Sequence, residues 1–108
     1  MSVELPKPVQ HYFTAANDGD VERMIAPFAD NATVNDEGVD RVGRPAIRKW
    51  MEDTTREYGA IATPESIDQG PGVSAVKALV SGNFPGSPVH LTYRFSLEHD
   101  QIVRLEIG

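Results

Sequence analysis

Between Val89 and Glu98 the side chains alternate without a break. Val89, Leu91, Tyr93, Phe95 and Leu97 are apolar, and His90, Thr92, Arg94, Ser96 and Glu98 are polar. Strand side chains point to opposite faces in turn, so this period specifies a strand with one buried face and one wet face. Such a strand cannot stand alone. It needs neighbours in a largely antiparallel sheet and a second layer over its apolar face. Val73 to Phe84 is similarly rich in β-branched and aromatic residues, and "NFPGSP" before Val89 supplies turn chemistry. "EHDQ" then turns the chain into a last strand at Ile102 to Ile107. Ala60 to Pro71, interrupted by Pro64, reads as an irregular or edge strand.

The covering layer lies in the first half. From about Lys7 to Asn17, Val9, Tyr12, Phe13 and Ala16 recur at helical spacing and line one face. "NDGD" makes a turn, with Asp20 as N-cap of a second helix whose stripe is Val21, Met24, Ile25 and Phe28. Pro27 should bend or shorten that helix, because proline removes a backbone donor. A short strand at Ala32 to Asp36 and a second at Val39 to Val42 follow. "GRP" opens a third helix, with Pro45 in its first turn and Gly59 as its stop. Ile47, Trp50, Met51, Thr54 and Tyr58 form its inner stripe. The pairs Arg48/Glu52, Lys49/Asp53 and Glu52/Arg56 belong to its surface. The expected class is α+β: three N-terminal helices packed on a mostly antiparallel sheet, in one domain of 108 residues.

Composition excludes several functions. A formal charge of -6 with no clustered Lys or Arg argues against nucleic acid as a partner. Cysteine is absent, which removes disulfides, thiolate chemistry and cysteine-based metal sites. No apolar run approaches the ~20 residues that cross a bilayer, and no signal segment is visible, so a soluble, cytoplasmic protein without a membrane partner is expected. His11, His90 and His99 have no ligand spacing, and neither a metal nor a cofactor is expected. "GPGVSA" only imitates a dinucleotide fingerprint.

Two residues stand out. On the strand "ATVND", Ala32 and Val34 share a face with Asp36, so a core-facing Val34 implies a core-facing carboxylate. A carboxylate deprived of water is a stronger proton acceptor. The alternative is that the strand stops at Asn35 and "DEG" is a solvated turn. Tyr12 lies on the inner stripe of the first helix, either as an oxyanion donor or as a core aromatic bonded to backbone. Glu37 alternates outward.

"VQHYFTAANDGDVERMIAPFADNATVNDEG" (Val9 to Gly38) followed by "GRPAIRKW" (Gly43 to Trp50) resembles the nuclear transport factor 2-like superfamily, and within it the ketosteroid isomerases and SnoaL-like polyketide cyclases. The second half agrees through its strand order and the closing "YRF…IVRLEI". The resemblance implies a cone-like fold on a strongly curved sheet, enclosing an apolar pocket, and a homodimer formed through the outer sheet face. It puts Tyr12 on the family's oxyanion-donating tyrosine and Asp36 on its proton-shuttling aspartate. The third catalytic position, a protonated carboxylic acid in ketosteroid isomerase, becomes Leu91 here, and neither His90 nor Thr92 can replace it. The implied pocket is lined by Tyr12, Phe13, Phe28, Val34, Trp50, Leu91 and Tyr93, and would take a small apolar molecule. An isomerase or cyclase and a non-catalytic binding or dimerisation module both fit. Epoxide hydrolysis of the limonene type, with its Asp-Arg-Asp set, fits less well because no inward arginine pairs with Asp36.

Overall fold

Pro27 ends the second helix rather than bending it. In the computed structural model of the protein, which describes residues 4–108, the elements are α1 (Lys7–Asn17), α2 (Val21–Ile25), β1 (Phe28–Asp36), β2 (Val39–Val42), α3 (Arg44–Tyr58), β3 (Ile61–Gly70), β4 (Val73–Ser81), β5 (Val89–Glu98) and β6 (Gln101–Ile107). Phe28, expected on the helical stripe, is therefore the first residue of β1. Helix and strand bury the same side here, so spacing alone could not place the boundary. The Pro27 carbonyl is taken by the Ile102 amide at 2.8 Å, which ties the new strand to β6 from its start.

The sheet has six strands in the order β2-β1-β6-β5-β4-β3. Every neighbouring pair is antiparallel except β1 with β6, which runs parallel and shifts register between Phe28 and Thr33. The stretch carrying Pro64 is the edge strand β3, and its ladder slips between Pro64 and Ser66. Proline lacks the donor that a central strand would need. The three helices cover one face, where Val34, Val76, Ala78, Phe95 and Leu105 meet Val9, Tyr12, Phe13, Ile47 and Met51.

Local signals set the helix ends. The Asp20 carboxylate accepts from the Arg23 amide at 3.2 Å and caps α2. Gly59 stops α3 in the left-handed region at φ 52°, a conformation that costs glycine little. Lys49 pairs with Asp53 at 3.0 Å as expected. The other two surface pairs are different. Arg48 reaches across to Glu22 of α2 instead of Glu52, and Arg56 binds Asp53 at 2.9 Å. Helix packing brings Glu22 within reach, which sequence spacing cannot show.

The outer face of β5 carries His90, Thr92, Arg94 and Ser96, with Arg94 opposite Glu106 and Ser96 opposite Arg104 on β6. No helix among the described residues is long and apolar enough to cross a membrane.

Candidate functional site

Asp36 closes β1 on the same inner face as Ala32 and Val34. It is half-buried, and the chain leaves it through a tight turn in which Glu37 and Gly38 both have positive φ, at 56° and 75°. The indole Nε1–H of Trp50, on α3, donates to Asp36 Oδ2 at 3.0 Å and so holds one carboxylate oxygen. Arg41 of β2 lies close by but does not pair with the carboxylate. Its guanidinium donates to the backbone carbonyls of Asp36 at 2.7 Å and Val39 at 3.1 Å, bracing the turn. Nothing in the local sequence announces that brace.

A cavity of about 390 Å³ opens beside this carboxylate, between α1, α3 and the inner face of the sheet. Tyr12, Phe13, Asp36, Trp50, Leu91 and Tyr93 line it together. Phe28 and Val34, expected in its wall, do not. Both are fully buried beneath it, Phe28 with its ring edge-to-face on Tyr12 at 5.9 Å.

Tyr58 and Phe84 join the wall, and sequence reasoning had not placed either there. Tyr58 could have been found, because it continues the α3 stripe of Trp50 and Thr54. Phe84 sits in the irregular β4–β5 loop, where no period exists to read. Its ring packs edge-to-face on Tyr58 at 6.0 Å. The loop is drawn in by the Asn83 amide bonding the Tyr58 carbonyl at 2.9 Å. Gly82 permits that approach, since a Cβ there would sit 2.9 Å from the same carbonyl oxygen. On the opposite side, the Asn17 side-chain amide pins the start of β3 by donating to the Ala62 carbonyl at 2.8 Å and accepting from its amide at 2.9 Å.

The electrostatics are one-sided. The charged residues of the wall are Asp36 and, at its exposed edge, Glu37; the wall includes no Lys, Arg or His, and Arg41, outside it, donates to backbone carbonyls. Tyr12 is 4% exposed, yet its hydroxyl bonds no described residue and opens into the cavity. Burial first, then the nearby Tyr93 and Asp36, push the Tyr12 hydroxyl well above the usual tyrosine range. Burial and then Asp36 push Tyr93 up to about 12. Both phenols therefore keep their protons at neutral pH and can only act there as neutral hydrogen-bond groups. The arrangement is a tethered carboxylate facing buried donors in a mostly apolar chamber.

Replacing Trp50 with Phe keeps an aromatic wall and deletes the donor to Oδ2. The expected loss is about 1.5 kcal/mol, at the low end for a bond to a charged group because cavity water can partly replace the indole. Thermal denaturation should show a fall in midpoint of roughly 5–10 °C. An unchanged midpoint would mean that the bond adds nothing to stability.

A SnoaL-like domain profile matches residues 9–105. Among solved structures, a Sinorhizobium meliloti protein provisionally named a polyketide cyclase shares 38% identity, covering 96% of this chain and 95% of that one at a TM-score of 0.93. A Xanthomonas campestris pv. campestris protein with the same provisional name is 20% identical over 94% and 86% of the two chains, with a TM-score of 0.82. A hypothetical protein with a ketosteroid isomerase-like fold from Catenulispora acidiphila, solved with trimethylamine, is 17% identical over 97% and 86%, with a TM-score of 0.85. The last two likenesses are of fold. Among curated proteins none matches.

Proposed function

The chain belongs to the SnoaL-like domain family, with the nuclear transport factor 2-like fold, and from that premise we propose that it is an isomerase or cyclase transferring a proton next to a carbonyl in a small apolar substrate. One observation carries this reading. A carboxylate held by a single oxygen shares an apolar cavity with a tyrosine whose ring is buried and whose hydroxyl opens into the cavity without a bond to any described residue. Asp36 would act through Oδ1, the oxygen that Trp50 leaves free, and take a proton from the carbon next to the carbonyl. The C–H electron pair becomes a C=C bond and the carbonyl π pair moves to oxygen, where Tyr12 donates a hydrogen bond. An isomerase then returns the proton from Asp36 to a different carbon. In a cyclase the new nucleophilic carbon attacks a second carbonyl of the substrate, forming a C–C bond, and the resulting alkoxide takes the proton. A cavity of about 390 Å³ suits a compact molecule at the lower end of ordinary ligand pockets.

A second reading has one observation in its favour. Leu91 stands at the wall where the resemblance would put a carboxylic acid, and a non-catalytic ligand-binding or dimerisation module would tolerate that loss. Exchange of α-hydrogens on small ketones and enones in heavy water, followed by NMR, separates the two. Exchange that depends on Asp36 supports the enzyme, and background exchange alongside intact binding of an apolar dye supports the module.

The family also implies self-association through the outer sheet face, where His90, Thr92, Arg94 and Ser96 stand in a row. A homodimer is the expected state in solution. Sedimentation velocity at about 20 μM should give a dimer mass, since a specific interface of standard size survives such dilution. A monomer at that concentration would rule the assembly out.

A further inference from the structure

Tyr93 occupies the next inward position on β5 after Leu91, and it brings a hydroxyl into the same cavity. It is 7% exposed, and like Tyr12 it bonds no described residue through its oxygen. The two rings lie 6.4 Å apart between centroids and are tilted by 54°, so they share the cavity wall without stacking face to face. Phe13 packs edge-to-face against Tyr93 at 5.0 Å, and Phe95 stacks beside it at 6.4 Å, so the ring has firm support on two sides. Both hydroxyls open onto the cavity rather than being sealed in the core, so their donors are free for whatever occupies it, and two of them lining one chamber suit an acceptor that the protein does not supply.

A developing enolate oxygen is such an acceptor. It carries more lone-pair capacity than one donor can satisfy, and Leu91 has nothing to offer it. We propose that Tyr93 is the second oxyanion donor of this site, acting with Tyr12 on one substrate oxygen. The inference rests on the proton-transfer reading above and deepens it. It also sets the substrate's orientation: the carbonyl oxygen enters first, between the two phenols, with its α-carbon turned toward Asp36. Enolisable ketones and 1,3-diketones with a carbonyl at the leading end are the class that fits. The raised pKa values of both tyrosines agree, because each must remain a donor while the oxyanion forms.

The test is ligand binding in the Asp36→Asn background, where a neutral amide imitates the protonated base and removes its repulsion of an anion. 2-Naphtholate is the oxyanion probe and naphthalene the matched probe without oxygen, both followed by fluorescence. Tyr93→Phe should weaken naphtholate by about 10–100-fold, the range for one charge-assisted hydrogen bond, and leave naphthalene unchanged. Tyr12→Phe should behave alike, and the double variant should lose all preference for naphtholate. Naphthalene binding doubles as the check that each variant is folded. Unchanged naphtholate affinity in Tyr93→Phe overturns the proposal, as does an equal loss of both probes, which would mark Tyr93 as wall packing. Failure of the background protein to bind naphtholate at all overturns it too. If the naphtholate results hold while the protein with Asp36 intact exchanges no α-hydrogens, the enzymatic reading falls and the tyrosine pair remains as an oxyanion-binding site.

Discussion

Asp36→Asn is expected to lower α-hydrogen exchange on ketone and enone probes by about 10²–10⁴-fold, the range that a positioned general base contributes. The substitution is close to isosteric. The Asn carbonyl can still accept from the Trp50 indole, so the hydrogen bond that closes at 3.0 Å in the native protein has a replacement and the fold should persist. What disappears is the basic oxygen. No other cavity group can take over, because Tyr12 and Tyr93 keep their protons, and Glu37, the other carboxylate of the wall, lies at its exposed edge. Parallel NMR time courses on the wild type and the variant check this, with an apolar dye confirming that both cavities still fill. Equal rates for the two proteins would remove Asp36 from the chemistry.

Phe95→Ala should have the largest effect on stability. Phe95 is fully buried on the inner face of β5, with its ring 5.6 Å from Tyr12 and 5.7 Å from Phe13, both edge-to-face, and stacked on Tyr93. Truncation removes its dispersion contacts and leaves a void that a close-packed sheet can only partly fill. The cost is about 3–5 kcal/mol, a large share of the roughly 5–15 kcal/mol that holds a domain together. Calorimetry should show a midpoint at least roughly 15 °C lower, or no cooperative transition. Because Tyr12 and Tyr93 lean on the same ring, dye and naphtholate binding should weaken together. A drop of only a few degrees would show that the aromatic cluster is not the stabilising core.

Much of the scaffold was legible because its signals are local. The stripe Val9, Tyr12, Phe13 and Ala16 encodes α1 within its own turns, and the alternation from Val89 to Leu97 encodes β5 within its own pleat. Gly59 marks the end of α3 because few residues other than glycine accept φ 52° cheaply. Periodicity also placed Tyr12, Phe13, Trp50, Leu91 and Tyr93 on inner faces, where the cavity formed. The errors lie where two structures share one pattern. Phe28 satisfies both a helical stripe and a buried strand, and Pro27 decided between them only by ending the helix. Phe28 and Val34 point inward, yet an inward side chain can lie in the core beneath a cavity as easily as in its wall.

The sequence by itself determined the type of each element, which side of it seeks burial, and that Tyr12 lies on an inward face; for Asp36 it left an inward carboxylate and a solvated turn both open. Those properties depend on residues within a few positions of one another. Only the tertiary structure decided that β1 lies parallel to β6, that Trp50 donates to Asp36 across the gap between α3 and β1, and that Arg41 braces the turn. The same holds for Gly82, which lets the Phe84 loop close on Tyr58, and for the Tyr93 ring set 6.4 Å from that of Tyr12. Each of these is a meeting of surfaces distant along the chain. Its free energy depends on how the layers pack, and no local period carries that information.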